Sequence, residues 1–341
     1  MKVVTFGEIL LRLATSNYSR LFQNNYFETS FCGGEANVAV SIALFGLEST
    51  FVTKLPQGEI GQAAINSLRY FGVDTSMVSR GGERLGLYYL EKGASQRPSK
   101  VIYDRAYSAI ATSSKNDFDW DKVFEGADWF HFTGISPALS QNVYEITLEA
   151  CIKAKEKGMK ISCDLNYRKK LWSSEQARKT MSSLMPYIDV CIANEEDADS
   201  VFGIKAENTE ISTGELNHDG YKKVAKKLHN QFGCKYIAIT LRSSISANDN
   251  NWSAMLYSAE QEEFYFSKQY AIHIVDRLGA GDSFGAGLIY GLTQSMSLQE
   301  CLEFAVAASC LKHSIEGDFN RVSVEEVKGL MAGDGSGRVK R

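Results

Sequence analysis

The sequence of 341 residues lacks the cysteine spacing that marks a disulfide framework or a zinc site. Its seven cysteines are scattered, none forms a C-x-x-C pair, and their number is odd. Several lie within apolar runs of the kind that form buried strands. The pattern therefore predicts reduced, buried thiols in a cytoplasmic protein.

Long basic runs and long apolar runs are also missing. The net charge is −4 at pH 7, and the basic tail at 338–341 is too short to indicate nucleic-acid binding. The N-terminus enters a short apolar run at once and carries Glu8 and Arg12. We therefore expect no signal peptide, no membrane-spanning segment and no nucleic-acid partner.

Two common phosphate-binding motifs are absent as well. No G-x-x-x-x-G-K-[ST] sequence occurs, which excludes a P-loop protein. The glycines at 279, 281, 285 and 287 do not have the G-x-G-x-x-G spacing, because Phe284 stands where the third glycine belongs. This spacing argues against a nicotinamide-dependent dehydrogenase.

Short apolar runs alternate with helical patterns along most of the chain. This rhythm predicts an α/β fold with a mostly parallel central sheet covered by helices on both faces. We expect one domain over 1–332 and a disordered tail at 333–341. Strands are predicted at 2–7, 49–54, 128–134, 159–165, 188–193, 234–241 and 271–276, and helices at 35–46, 59–71, 141–157, 174–185, 219–232, 282–294, 297–312 and 323–331.

Two stretches interrupt this rhythm, at 12–32 and at 84–105. The second contains two apolar runs joined by a polar turn with Gly93 and Pro98, which is typical of an antiparallel hairpin. We expect 12–32 and 84–112 to form a small inserted β-sheet that acts as a lid. An ordinary edge hairpin is the alternative. Surface loops are predicted at 205–219 and 243–251.

The strongest functional signal lies at 276–284. An apolar run at 271–275 predicts a buried strand before it, and a small apolar run after it predicts a closely packed helix. The N–H groups of Gly279, Ala280 and Gly281 can converge on an anion at the positive end of that helix. Asp282 at the same place can take a proton from a hydroxyl that attacks the anion, as a phosphotransferase requires. The alternative is a tight turn that needs glycine only for its shape.

Polar clusters follow other predicted strands or precede helices. Gly33 and Gly34 allow close approach to a ligand, with Glu35 and Asn37 available to hydroxyls, although plain helix capping explains them too. The segment 164–168 closes a strand, where open α/β sheets bind ligands.

Two of these clusters carry charge that can meet a ligand. Arg168 can meet a carboxylate or phosphate, or can simply pair with Asp164. The acidic run at 194–197 suits Mg²⁺ bound through water, or complements a helix dipole.

Together these residues resemble the ribokinase-like (PfkB) family of sugar kinases, from Gly7 to about Asn320. The family's N-terminal signature resembles 33–37, and its C-terminal signature resembles 276–282. Within the family the chain most resembles the subgroup that acts on 2-keto-3-deoxygluconate, on the basis of Tyr89, 103–105, 166–168, 276–278 and 317–318.

The resemblance implies a three-layer fold with a lid, ATP and Mg²⁺ as cofactors, a possible monovalent cation, and a homo-oligomer formed through the lid. Asp282 would be the base, with a pKa lowered by the helix N-terminus. Implied roles are the anion hole for Gly279, Ala280 and Gly281; substrate binding for Gly33, Gly34, Asn37, Tyr89, Tyr103, Arg105, Arg168 and Asp318; nucleotide binding for Asn166, Asn194, Thr240, Arg242, Gly279 and Gly281; and metal binding through water for Asp197.

Three features depart from the family pattern. Asp197 replaces the usual glutamate, the loop at 242–251 lacks the usual lysine and glycine, and Arg277 and Leu278 replace a threonine pair. The last change agrees with the keto-deoxy acid subgroup.

The implied activity is phosphorylation of the terminal hydroxyl of 2-keto-3-deoxygluconate, which would feed aldol cleavage in uronate or gluconate breakdown. Arg105 and Arg168 favour an acid substrate over a neutral sugar. The alternatives are a fructokinase or another sugar kinase of the family, and a non-catalytic sugar-sensing protein.

Overall fold

The computed structural model describes residues 1–194, 196–206, 217–335 and 337. The strands are β1 (Lys2–Phe6), β2 (Leu10–Ala14), β3 (Glu28–Cys32), β4 (Glu48–Val52), β5 (Lys54–Leu55), β6 (Ser79–Arg80), β7 (Gly86–Glu91), β8 (Lys100–Asp104), β9 (Trp129–Thr133), β10 (Lys160–Asp164), β11 (Val190–Ala193), β12 (Tyr236–Ser244), β13 (Asp249–Ser258), β14 (Glu263–Phe266) and β15 (Tyr270–His273). The helices are α1 (Gly34–Leu44), α2 (Glu59–Arg69), α3 (Trp120–Val123), α4 (Ile135–Ala138), α5 (Gln141–Glu156), α6 (Ser174–Leu184), α7 (Asp197–Phe202), α8 (His218–Phe232), α9 (Ala280–Thr293), α10 (Leu298–Lys312) and α11 (Val324–Met331).

The central sheet has the strand order β14-β13-β12-β11-β10-β9-β1-β4, and β15 also pairs with β13. From β4 to β12 all neighbours are parallel. The strands β13, β14 and β15 add an antiparallel edge. The expected mostly parallel sheet is therefore confirmed.

Helices cover both faces of this sheet because its central strands are apolar on both sides. All residues of β9 and β11 are buried. Trp129 enters the layer that contains Phe284 and Phe304, while its neighbour Phe130 enters the opposite layer with Val143. Successive side chains of β9 thus belong to two different hydrophobic cores, as the alternation of a strand dictates.

The interrupting segments form a separate four-stranded sheet in the order β3-β2-β7-β8. The predicted hairpin is confirmed, since β7 and β8 pair antiparallel from Leu87 with Asp104 to Glu91 with Lys100. The hairpin turn also contacts the main body of the fold. The Ser95 N–H donates to Asn248 Oδ1 at 2.7 Å, and the Ala247 N–H donates to the Ser95 carbonyl at 2.8 Å.

Two predictions about the antiparallel edge were wrong in part, and two of its strands were missed. The strand predicted at 271–276 is present as β15, but it is not the expected buried strand, because it lies at the edge of β13 and buries only Ile272. The expected loop at 243–251 shrinks to 245–248, since the polar ends of β12 and β13 pair with each other. The strands β13 and β14 were not predicted. The first half of β13 is polar although it is paired on both sides, and the short edge strand β14 is largely half-buried, so neither has the apolar run of a buried parallel strand.

Two predicted segments lie partly outside the described residues. They are the loop at 205–219, of which 207–216 are outside, and the tail at 333–341, of which 336 and 338–341 are outside. Within the described part of the chain, no helix is both long and apolar enough to cross a bilayer.

The helix α9 packs unusually close to α10, because it presents glycines to that neighbour. A Cβ on Gly287 would lie 2.8 Å from the Cα atom of Ala305, and a Cβ on Gly291 would lie 2.8 Å from the Cα atom of Cys301. By contrast, a Cβ on Gly285 would meet only Ile192 Cδ1, at 3.4 Å. The absence of side chains at Gly287 and Gly291 therefore sets the distance between α9 and α10.

We expect Gly287→Ala to lower the free energy of unfolding by about 1–3 kcal/mol, because overpacking outweighs the better helix propensity of alanine. The matched control is Gly285→Ala, which should be neutral or slightly stabilising in the same helix. Urea denaturation of both variants checks this. Equal effects of the two substitutions would contradict the close-packing argument.

Candidate active site

Two cavities meet at the N-terminus of α9. The inner cavity, of about 90 Å³, lies between the small sheet and the central sheet. The outer cavity, of about 350 Å³, lies over the ends of β10, β11 and β12. Asn166, Arg168, Gly279 and Asp282 line both cavities. A group bound in one cavity can therefore reach a group bound in the other beside Asp282.

The turn before α9 requires glycine at position 279. Its φ of 79° is left-handed, and a Cβ there would overlap the Asp318 carbonyl oxygen. No side chain of the described residues caps this helix end. The N–H groups of Ala280 and Gly281 begin the helix without an intrahelical partner, so they are available to an anion in the outer cavity.

Asp282 lies in the first turn of α9 and is half-buried. Its Oδ2 accepts a hydrogen bond of 2.6 Å from Asn37 Nδ2. Removal from water is the main cause that raises the pKa of Asp282 to about 7. The hydrogen bond from Asn37 and the charge of Arg168 lower this pKa, whereas repulsion from Asp318 and Glu35 raises it further. The expected lowering of this pKa by the helix N-terminus was therefore wrong, because burial is the larger effect.

The segment at 33–37 forms the wall opposite Asp282. Position 33 requires glycine because a Cβ atom there would overlap the Glu8 carbonyl. Glu35 does not reach out to ligands: its buried Oε1 accepts from the Thr133 N–H and Oγ1 and from Ser136 Oγ, at 2.7–3.0 Å. These bonds anchor the start of α1 to the end of β9. Asn37 is left facing Asp282.

A tyrosine that sequence reasoning missed lines the inner cavity. The hydroxyl of Tyr88 donates to the Asp318 carboxylate at 3.0–3.1 Å. The predicted Tyr89 does not line either cavity, because neighbouring strand residues face opposite ways and its ring packs on Phe27 instead. No signal in the sequence selects Tyr88, because the run from Leu87 to Leu90 places one leucine and one tyrosine on each face of β7.

The two arginines expected to meet a carboxylate differ in their surroundings. Arg105 is paired with the buried Glu8, which also accepts a 2.8 Å hydrogen bond from Ser108 Oγ. The Arg105 guanidinium lies 5.0 Å from the ring centre of Tyr103, and both line the inner cavity. Glu8 was noticed in the sequence only as a charge near the N-terminus.

Arg168 keeps its charge available to a ligand. It donates to its neighbour's carbonyl, Tyr167 O, at 3.1 Å, and it forms no ion pair with any described residue. The expected alternative, an ion pair with Asp164, is absent among the described residues. Because Arg168 lines both cavities, it can meet an anionic group in either one.

Acidic groups line the far side of the outer cavity. Asp197 is buried, and its two carboxylate oxygens accept from the N–H groups of Tyr167 and Asn194 at 3.1 and 3.0 Å. Asp197, whose side chain is shorter than that of the glutamate usual in the family, thus links the loops that follow β10 and β11. Burial raises the pKa of Asp197, and it raises that of Asp164 more strongly, with repulsion from Asp197 and Asp282 added.

The remaining predicted nucleotide residues also come together at the outer cavity. Asn194, Thr240 and Arg242 line it with Arg277, whose guanidinium donates to the Ala247 carbonyl at 2.6 Å. Among the described residues, no group of three or more histidine, cysteine, aspartate or glutamate side chains can hold a metal ion. A magnesium ion would therefore need phosphate and water oxygens as ligands.

Comparison with known proteins agrees with this fold. The pfkB family carbohydrate kinase profile matches residues 1–320. A crystal structure of 2-dehydro-3-deoxygluconokinase from Thermotoga maritima is 50% identical, with a TM-score of 0.94, 98% of this chain covered and 100% of that one. The 2-dehydro-3-deoxygalactonokinase of Haloferax volcanii is 31% identical, with 98% of each chain covered. Fructokinase-1 of Oryza sativa subsp. japonica is 28% identical, with 96% of this chain and 97% of that one covered.

A carbohydrate kinase is thus the class of protein that the fold and these matches define. The chain belongs to the pfkB family of carbohydrate kinases.

The raised pKa of Asp282 predicts a pH-dependent effect of Asp282→Asn on stability. A carboxyl whose pKa is raised on folding favours the folded state below its unfolded pKa, and this contribution is lost as the pH rises through about 7. At pH 8 the variant should therefore have a higher Tm than the wild type, and the difference should shrink towards pH 5. Thermal unfolding monitored by circular dichroism measures this.

Asp121→Asn is a control of opposite sign, because Lys157 and Lys153 lower the pKa of the exposed Asp121. Its small destabilisation should be present at pH 8 and fade as the pH falls below the ordinary aspartate range. A Tm difference for Asp282→Asn that does not change between pH 5 and 8 would show that its pKa is not raised.

Proposed function

We propose that this kinase transfers the γ-phosphoryl group of Mg-ATP to the terminal hydroxyl of 2-keto-3-deoxygluconate (2-dehydro-3-deoxygluconate), giving 2-keto-3-deoxy-6-phosphogluconate. The observation that carries this proposal is the position of Asp282, which lines both cavities beside the start of α9. The 50% identity with a structure named 2-dehydro-3-deoxygluconokinase supports the substrate.

Asp282 is the general base in this proposal. Its pKa of about 7 matches a group that must accept a proton near neutral pH and stay ionised often enough to do so. The hydrogen bond from Asn37 fixes the carboxylate towards the inner cavity. The hydroxyl that loses its proton would then attack across the shared wall into the outer cavity.

The N–H groups of Gly279, Ala280 and Gly281 would stabilise the charge that spreads over the transferred phosphoryl oxygens. On the nucleotide side, Asn166, Asn194, Thr240 and Arg242 line the same cavity. ATP supplies the phosphoryl group, and Mg²⁺ neutralises its oxygens when bound. Asp197 would reach that ion through water, since both its oxygens already accept backbone N–H groups.

The inner cavity would hold the sugar acid. Gly33 and Gly34 would contact it along the wall of the cavity, with Asn37 and Asp318 as polar partners for its hydroxyls. Tyr88 takes the place we expected for Tyr89, and Tyr103 lies beside it with ring centres 5.7 Å apart.

The two arginines differ in how readily each can bind the carboxylate of the substrate. Because Glu8 already neutralises Arg105, the substrate carboxylate would pair mainly with Arg168. The Arg105–Glu8 pair would instead hold the wall of the inner cavity in place and offer hydrogen bonds.

A fructokinase is the second candidate, since Fructokinase-1 of rice matches 96% of this chain at 28% identity. A neutral sugar would give Arg168 no carboxylate to bind in the inner cavity, so the acid substrate is favoured. A non-catalytic sugar-sensing protein would have no use for a base between the cavities.

We also propose a cytoplasmic homo-oligomer that forms through the small sheet, which would act as a lid. The outer strand β8 alternates exposed and half-buried residues, and its free edge can pair with another chain. The cysteines are free and mostly buried, which suits a reducing compartment.

The test of the proposed function is ADP release with Mg-ATP and a panel of acceptors: 2-keto-3-deoxygluconate, its galactonate epimer, gluconate, fructose and ribose. We expect strong turnover only with the keto-deoxy acids. In Asp282→Asn, turnover should fall by about 10²–10⁴, the usual contribution of a general base, while sugar binding is retained. Turnover with fructose or ribose alone would refute the proposed keto-deoxy acid substrate. An Asp282→Asn variant whose turnover stays within about tenfold of wild type would refute Asp282 as the general base.

Arg168→Lys should raise the KM for the acid substrate by about tenfold or more, because a point charge replaces a planar fork. Weak turnover of a neutral acceptor should change much less, and this is the internal comparison. Arg84→Lys is the matched control, since Arg84 pairs with Asp104 on the exposed side of the small sheet. Equal KM increases for acid and neutral acceptors would refute the carboxylate role of Arg168.

A further inference from the structure

Lys312, the last residue of α10, is a fully buried cation to which the proposed function gives no role. Its exposure is 0%. The ammonium donates to the carbonyl oxygens of Asp276 at 3.2 Å and Ile315 at 3.1 Å. An ammonium removed from water is costly unless dipoles and opposite charges surround it. Burial lowers the pKa of Lys312, while Asp276 and Asp318 oppose that effect.

The two carbonyls belong to the two segments that meet at Gly279. Asp276 begins the turn before α9, and its carboxylate accepts from the Leu278 and Gly317 N–H groups, both at 3.2 Å. Ile315 lies in the segment that leads to Asp318, whose carbonyl packs against Gly279. Lys312 therefore joins the turn that presents the helix N-terminus to the segment that supports it.

Backbone carbonyl oxygens that converge on one buried point are the ligands that K⁺ takes. The family resemblance raised the possibility of a monovalent cation, and such an ion would have to compete with Lys312 for these two oxygens. A second positive charge beside this ammonium and Arg12 would be repelled. The residues present at this point thus do not fit an added cation, because the chain supplies its own.

We propose that Lys312 is a built-in monovalent cation, a positioning residue that fixes the 276–282 turn and makes activity independent of K⁺ or NH₄⁺. The activity part of this inference rests on the proposed function, whereas its stability part does not. Removing the ammonium while leaving its space should create a site for a small cation.

The experiment compares wild type and Lys312→Ala in KCl, NH₄Cl and tetramethylammonium chloride at equal ionic strength. We expect wild-type kcat and Tm to be the same in all three salts. In tetramethylammonium chloride, Lys312→Ala should lose about tenfold or more in kcat, a barrier increase of at least roughly 1.4 kcal/mol, together with a lower Tm. K⁺ or NH₄⁺ should restore part of both, because they can reach the vacated carbonyls.

Lys312→Met is the matched control, because it removes the charge but keeps most of the volume. It should have a low kcat in all three salts. Activation of the wild type by K⁺ would overturn the proposal, and so would a normal kcat of Lys312→Ala in tetramethylammonium chloride. Identical, salt-independent losses in both variants would also overturn it, since they would indicate a purely structural lysine.

The salt dependence of Tm separates this inference from the proposed function. If the wild type phosphorylates no acceptor but the Tm of Lys312→Ala still rises specifically in K⁺ or NH₄⁺, the function is wrong and the built-in cation stands. If neither variant folds, the test is the salt series of the wild type. An unchanged Tm and kcat across the three salts support the proposal, and a rise of either quantity in K⁺ overturns it.

Discussion

The buried carboxylate of Asp276 is the interaction on which the geometry of the active site depends. It accepts hydrogen bonds from the Leu278 and Gly317 N–H groups and an ion pair from Arg12, which comes from the small sheet. Arg12 also pairs with Asp318, so one guanidinium joins three separate parts of the chain. Breaking a buried pair on one side typically costs about 3–5 kcal/mol, so this node holds the turn, its supporting segment and the small sheet in a fixed relation.

That node explains why the turn before α9 can be short and rich in glycine. Glycines would leave an isolated turn many conformations, at a cost of about 0.5–1 kcal/mol each relative to alanine. Here the freedom is removed from outside, because Ser309 Oγ donates to the Ala280 carbonyl at 2.8 Å and the His313 carbonyl accepts from the Val275 N–H at 2.8 Å. The N–H groups of Ala280 and Gly281, which line the outer cavity, are left without an intrahelical partner.

The sequence predicted the parallel part of the fold because buried strands and amphipathic helices leave strong periodic patterns. Most of the residues that it singled out line the two cavities, since glycines and polar residues at strand ends have few other uses. It did not select Tyr88 over Tyr89, because the run from Leu87 to Leu90 is apolar on both faces of β7. It could not show that Arg105 is neutralised by Glu8, because residues 97 positions apart meet only through the packing of two sheets.

The pKa of Asp282 shows how tertiary structure can reverse a sound local argument. A helix N-terminus stabilises a carboxylate by about 0.3–1 kcal/mol at an exposed site, which is less than one pKa unit. Burial can shift a carboxyl by up to roughly 3–5 units in the other direction. The helix start is visible in the sequence, whereas the residues that exclude water from Asp282 come from distant segments. The larger effect was therefore the one that local pattern could not reveal, and it places the carboxyl where proton transfer near neutral pH is possible.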